Sequence, residues 1–461
     1  MKVLLIATNR QRSPYPVAPL GALCVAGAAQ GAGHDVDVLD LAFARRPRGA
    51  IRKALRAARY DAVGLSIRNL DNCLFAQPAT YTDGVGRVVD EVRRHTSAPL
   101  VLGGSGFSVA PRGWLRRLGV PWGVVGEGEG PFVDLLDHLA AGRAPDGVPG
   151  LLCRDAGSAP APRELARHIA APAHARCDYA RYLGRGGFVS VQAKRGCSSK
   201  CIFCTYPLLE GTEHRLRAPQ AVADEIEDVH RATGAVHFFF TDGVFNTPRH
   251  HAIEVCRELS RRDAPVRWMA YCNPVGFDRE LAHAMAEAGC VGIEFGFDGA
   301  TDKMLEALAK PFSIDAIRTS LEAAAHAGLP RAVHLLFGGP GETADDIAES
   351  QDFLASCPPS NAVFASLGIR IYEGTPLEAM AREEGVLAAD ADLFEPAYYV
   401  SEALGSDPMA TLDAIARRRP EWSTPTDWLG VVMRLVQGIV NRTGVRPQWR
   451  DAQNYGKYMR R

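Results

Sequence analysis

Twice along this chain, short apolar runs of roughly three to six residues alternate with helix-length segments. A stretch rich in Ala, Pro and Arg separates the two series. The first series holds Val3 to Ala7, Val36 to Leu39, Ala62 to Ile67, Leu100 to Leu102 and Gly123 to Val125. Alternation of this kind predicts an α/β, doubly wound, Rossmann-like parallel sheet of five strands. The second series, 188–193, 236–240, 267–272, 291–297, 331–338 and 364–371, predicts a partial, TIM-like (β/α)6 barrel.

The expected division is a sheet unit over 1–145, a linker over 146–185, a barrel over 186–390 and a mostly helical, aromatic extension over 391–461. The linker reads as extended, with Gly157-Ser158-Ala159-Pro160-Ala161-Pro162 and Ala171-Pro172-Ala173-His174. In the extension, Trp422, Trp428, Trp449 and Tyr455 are expected to cover the open side of the barrel or line the substrate entrance. The interleaved Arg417 to Arg419, Arg442, Arg446 and Arg450 read as a solvated face.

Charge narrows the partners. Lys and Arg number 52 against 53 Asp and Glu, so no global field favours nucleic acid or an anionic membrane, and a small-molecule or peptide substrate is expected. No window approaches ~18 uninterrupted apolar residues, and the N-terminal apolar run is too short for a secretory segment. Eleven cysteines without a regular framework fit a reducing, cytoplasmic setting. The expected state is a monomer or weak dimer.

Ligands of doubly wound sheets sit beyond the carboxyl ends of the strands. Those ends here are Ser66-Ile67-Arg68-Asn69, Gly103-Gly104-Ser105-Gly106 and Gly126-Glu127-Gly128-Glu129-Gly130. Glycines let backbone amides approach a phosphate or a flat ring system. Dinucleotide binding is disfavoured, because Ala7-Thr8-Asn9-Arg10 stands where a G-x-G-x-x-G would follow the first strand.

After the first barrel strand comes Lys194-Arg195-Gly196-Cys197-Ser198-Ser199-Lys200-Cys201-Ile202-Phe203-Cys204. Cys197, Cys201 and Cys204 can bind three irons of a 4Fe-4S cluster and leave the fourth open to the amino and carboxylate groups of an amino acid, walled by Phe203. A zinc knuckle would want a fourth ligand at knuckle distance, and the nearest following histidine is His214.

The C-x3-C-x-Φ-C spacing resembles that of the radical S-adenosylmethionine enzymes. Ala18-Pro19-Leu20-Gly21, Leu102-Gly103-Gly104 and Val125-Gly126-Glu127-Gly128-Glu129 resemble the cobalamin-binding domain that precedes the radical domain in one branch of them. The resemblance implies a 4Fe-4S cluster, S-adenosylmethionine and cobalamin. It also implies a 5′-deoxyadenosyl radical, methyl transfer to an unactivated carbon, and an electron donor such as flavodoxin or ferredoxin. Contacts to the cofactors are implied for Asp242 (the ammonium), Asp298 (ribose or methionyl group) and Gly338 (adenine or ribose), and Asn273 and His334 are candidates by their place on the barrel strands. On the cobalamin side, Gly103, Gly104, Ser105, Gly126, Glu127 and Gly128 are implied.

One feature departs from the pattern of many cobalamin carriers: no Asp-x-His-x-x-Gly follows the first strand. The resemblance instead puts Arg68 or Asn69 beneath the corrin. A guanidinium cannot ligate cobalt, and its charge there would oppose the more oxidised metal. Structural readings compete: an Arg68–Asp71 ion pair, helix caps at Asp242 and Asp298, and a core histidine at His334. Relatives with these cofactors also carry out cyclisation, ring contraction, and sulfur or oxygen exchange, and a cobalamin-free radical enzyme with a vestigial first domain is a further alternative. A methylthiotransferase would need three further cysteines in the first domain, which has Cys24 and Cys73 alone. The high Ala, Arg and Gly content suggests a high-GC genome and natural-product biosynthesis.

Overall fold

A computed structural model describes residues 1–155, 165, 169–262, 264–425 and 447–451. Six strands form the first sheet: β1 (Lys2–Ala7), β2 (Asp35–Asp40), β3 (Ala62–Ser66), β4 (Leu100–Gly103), β5 (Trp122–Val124) and β6 (Leu151–Cys153). Their order is β2-β1-β3-β4-β5-β6. The first five are parallel, and helices on both faces bury them, which is why β1 reads as a continuous Val-Leu-Leu-Ile run. One core lies on each side of the sheet, around Val63, Leu102 and Trp114 and around Val3, Val36 and Leu135. Chain direction across the sheet reverses between β1 and β3, so the crevice at their carboxyl ends is the expected ligand position.

The sixth strand was not foreseen. Leu151–Cys153 pairs antiparallel with β5 and so carries the first sheet into the segment read as linker. Three apolar residues give too short a signal to stand out beside the Ala-Pro-rich run. That run, 157–162, lies outside the described residues.

In the second sheet the described strands are Val189–Val191, His237–Phe240, Arg267–Cys272, Cys290–Asp298, Arg331–Phe337, Ala362–Leu367 and Trp422–Ser423, paired in that order and all parallel. The expected six units are present, and Trp422–Ser423 extends them by a short seventh strand. Odd and even residues face opposite ways. On the fourth strand Ile293, Phe295 and Phe297 pack against the helices, leaving Glu294 to the lumen. The amino-terminal end of the lumen is closed by Phe188, Phe239, Met269, Ala332, Ala362 and Trp449.

Trp449 therefore plugs the floor and does not cover the open side. Gly292 makes room for it, since a Cβ there would lie 2.5 Å from Pro447 and 3.1 Å from the Trp449 ring. Trp422 is buried in the second sheet, stacked 6.1 Å from Phe337. Trp428, Arg442, Arg446 and Tyr455 lie outside the described residues.

Buried ion pairs clasp the two sheets together. Glu127 binds Arg215 through both oxygens and lies 3.4 Å from Arg195, which also holds Glu129 at 2.6 Å. On the other flank Arg370 donates to Asp71 at 2.9 Å, with side chains only 3% and 0% exposed. Phe75 packs against Gly368, where any Cβ would sit 2.6 Å away.

Candidate active site

The strand ends of both sheets open on one cavity of about 560 Å³. From the first sheet it is lined by Ser66 to Asn69, Gly103 to Gly106 and Gly126 to Glu129; from the barrel, by Thr205, Tyr206, Thr241, Tyr271 and Tyr372. The glycines on its wall are needed for close approach. A Cβ on Gly104 (φ +97°) would lie 2.5 Å from the Ile67 carbonyl, and one on Gly106 2.5 Å from the Asn69 backbone. Ser105 Oγ donates to the Arg68 carbonyl at 2.8 Å, and the Gly126 amide donates to Ser108 Oγ at 2.8 Å. These contacts tie the three glycine-bearing ends into one surface.

Two polar groups on that surface lack partners. Asn9 Nδ2 is buried without a hydrogen bond, and the Arg68 side chain makes none among the described residues. The Arg68–Asp71 pair does not form, because Asp71 is held by Arg370. The Arg68 charge is felt at Tyr15, Tyr206 and Tyr271. Burial raises the first two phenols and Glu294 the third, and Arg68 works against each shift. A glycine-lined wall, an orphaned amide and a free guanidinium suit a large, flat ligand rich in polar side groups, which is the chemistry of a corrin.

At the barrel mouth, backbone and side chains together hold the cysteine loop. Gly196 has φ +87°, and a Cβ there would fall 2.0 Å from the Glu213 carbonyl. The Cys197 amide donates to the Gly211 carbonyl at 3.1 Å, and Ile202 to Leu308 at 3.2 Å. His214 spends both ring nitrogens on the loop, at Gly196 O (3.2 Å) and Ser198 Oγ (3.1 Å). Among the described residues no three His, Cys, Asp or Glu side chains gather as a single ion would require. The donor set is three free thiols on one loop, which suits an iron–sulfur cluster with one open iron.

Burial raises the Cys201 thiol and pushes Cys204 up to about 11, while Lys310 works against both shifts. Metal must displace these protons. Lys310 stands 2.5 Å from Asp298 and 5.8 Å above the Phe203 ring. Asp298 itself takes φ +62°, beyond a register shift in its strand. Sequence reasoning missed Lys310, a lone lysine in the turn Ala309-Lys310-Pro311 with no motif around it.

Four expected cofactor contacts are taken up by partners within the protein. Asp242, only 1% exposed, accepts from the Ala193 and Lys194 amides at 3.0 and 2.7 Å, so it anchors the strand before the cysteine loop and is neither an open ammonium acceptor nor a helix cap. The Gly338 amide donates to Glu342 at 2.5 Å and is unavailable to adenine. Asn273 Oδ1 accepts from Val275, and its main chain is bracketed by Asn246. Glu127 belongs to the arginine clasp. His334 lies in mid-strand inside the lumen, 3.0 Å from Glu294, and is more open than a core histidine. A polar group at a strand end can serve the backbone or another side chain as readily as a ligand.

Residues 191–354 match the Radical SAM superfamily model and residues 8–136 the B12 binding domain model. The chain is 30% identical over 442 residues to a tryptophan 2-C-methyltransferase of Streptomyces laurentii, covering 80% of this chain and 73% of that one. It is 26% identical to an uncharacterised methyltransferase of Pyrococcus horikoshii, covering 81% and 83%. The solved radical S-adenosylmethionine methyltransferase TsrM from Kitasatospora setae, with cobalamin and a 4Fe-4S cluster bound, superposes with a TM-score of 0.87 at 25% identity, over 100% of this chain and 98% of that one.

Proposed function

Since the chain belongs to the cobalamin-binding radical S-adenosylmethionine family and is a methyltransferase of that family using a 4Fe-4S cluster and cobalamin, we propose that it methylates a carbon atom of a small-molecule natural-product intermediate. The single observation carrying this reading is the shared cavity, which joins the glycine-bearing strand ends of the first sheet to the barrel mouth. When bound, the cluster supplies the electron or Lewis acidity that acts on S-adenosylmethionine, and cobalamin carries the methyl group.

In this reading Cys197, Cys201 and Cys204 hold the cluster. Lys310 and Asp298 stand side by side next to that loop, a cation and an anion matched to the carboxylate and ammonium of the methionyl group. Asn9, Asn69, Gly103, Gly104, Ser105, Gly126 and Gly128 would form the corrin bed, with Arg68 supplying a positive charge on the same wall. The small-molecule class is supported by the cavity's volume of about 560 Å³ and by the tryptophan and cytidylyl-2-hydroxyethylphosphonate substrates named for relatives. Among the described residues no helix is long and apolar enough to cross a membrane. A flavodoxin- or ferredoxin-type donor and a monomer or weak dimer complete the proposal, in a reducing cytoplasm that suits cysteines that are all free.

The test is anaerobic reconstitution followed by incubation with methyl-deuterated S-adenosylmethionine and candidate acceptors, tryptophan first. Deuterated methyl on an acceptor carbon, dependent on cobalamin, supports the proposal. Turnover of an acceptor without cobalamin refutes it.

A further inference from the structure

Inside the barrel lumen, below the strand ends, Glu294 and His334 meet across neighbouring strands. His334 Nε2 lies 3.0 Å from Glu294 Oε2, and Glu294 Oε1 accepts from the Trp449 indole at 3.0 Å. Both carboxyl oxygens have donors in the tautomer that carries the ring hydrogen on Nε2. Nδ1 is then left with a lone pair, and it has no partner among the described residues. The Glu294 side chain is 6% exposed and that of His334 36%, so the charge is shielded while the imidazole is open to the lumen.

Rings make the walls. Phe364 stacks on His334 at 5.0 Å with its plane tilted by 28°, and Tyr271 stands edge-on at 6.2 Å. Phe239 backs Tyr271, and Tyr15 reaches in from the first domain against Phe188. The titratable groups against the imidazole are Glu294 and Tyr271, and Tyr15, Tyr206 and Arg68 stand around Tyr271. Tyr271 is held neutral, first by Glu294 and then by burial, which leaves His334 as the base of the chamber.

We propose that His334 is the proton acceptor for the methyl-accepting substrate, with Glu294 as its positioning residue, and that the lumen takes a planar acceptor bearing an acidic N–H. The inference rests on the methyl-transfer reading above. In the step, the N–H bond of the acceptor breaks and its electron pair stays on nitrogen, feeding the ring carbon that is to be methylated. The proton passes to Nδ1, and the imidazolium so formed is stabilised by Glu294, as a buried carboxylate stabilises the histidine of a hydrolytic triad.

Two measurements on the full-length chain decide this without turnover. With 15N-labelled histidine, the signal that disappears in His334→Gln should report Nε2 protonated and Nδ1 bare in the wild type. With 15N-labelled 4-nitroimidazole, a planar N–H acid, the wild type should bind the ionised form at least about tenfold more tightly than His334→Gln, the scale of one charge-assisted hydrogen bond. Glu294→Gln should lose both signatures. An Nδ1-protonated tautomer, equal binding by wild type and His334→Gln, or no binding of the probe would overturn the proposal. If His334→Gln does not fold, the signal is assigned through its loss of tautomer preference in Glu294→Gln, and the wild-type tautomer decides. Failure to take up cobalamin while these signatures hold would count against the methyltransferase reading and leave the base in place.

Discussion

Arg68 and Glu342 carry the plainest consequences of single side chains. Arg68 is a charge on the cavity wall with no protein partner among the described residues, so its effect should be exerted on the ligand. Arg68→Ala is expected to shift the absorption of bound cobalamin and to slow methyl transfer at least about tenfold, the worth of one charge-assisted contact. Arg68→Lys should recover part of the rate. An unchanged spectrum and rate in Arg68→Ala would remove it from the site. Glu342 is 1% exposed, and burial pushes its carboxyl up to about 7 despite the amides of Gly338 and Gly339. Between the ordinary 4.5 and about 7 the folded chain holds a proton that the unfolded chain has released. Its contribution to stability is therefore greatest below 4.5 and falls as pH rises through that window. Glu342→Gln should flatten the dependence of Tm on pH between 5 and 7 relative to wild type; identical slopes would show that the carboxyl is ionised throughout. Neither residue's situation could be read in advance. Arg68 was picked out by its strand end and the family resemblance, and the two roles offered it differ only in whether Asp71 is free.

Among elements, the cysteine loop depends on Gly196. A side chain there must displace the Glu213 carbonyl and hold φ +87°, a strain of more than about 2 kcal/mol. Gly196→Ala should therefore lose bound iron as fully as Cys201→Ala does, measured by iron content after anaerobic reconstitution. Retained iron in Gly196→Ala would show that the loop is not preformed. The loop and the barrel strands that frame it were legible because their signals are local: close-spaced thiols, and apolar runs of three to nine residues, the first five with ends within two residues of those expected and the sixth stopping at Leu367 rather than 371. Lys310 was hidden because the residues that give it meaning, Asp298 and Phe203, lie on other elements. Glu294 was hidden more deeply, since its partner Trp449 is 155 residues away. Asp242 was misread because strand-end acids look alike whether they face a ligand or the backbone.

Taken whole, the molecule is two sheets facing each other, strand ends to strand ends, held by buried charge. The clasp was not legible in the sequence, because Asp71 and Arg370 are 299 residues apart. Asp71→Ala leaves the Arg370 guanidinium buried and unpaired, which should cost about 3–5 kcal/mol and, if the domains part, loosen cobalamin binding as well. Replacing the pair with Asp71→Leu and Arg370→Met should restore most of the stability, since apolar packing avoids the desolvation of both charges. Denaturant unfolding checks both; a neutral Asp71→Ala would mean the clasp holds nothing. The central claim is that this interface is a cobalamin site facing an iron–sulfur cluster. Anaerobic reconstitution of the full chain with iron, sulfide and hydroxocobalamin, followed by gel filtration and absorption spectroscopy, tests it directly. Cobalamin should elute in equimolar amount with the chain, together with a 4Fe-4S band. A chain that keeps the cluster and elutes free of corrin would contradict it.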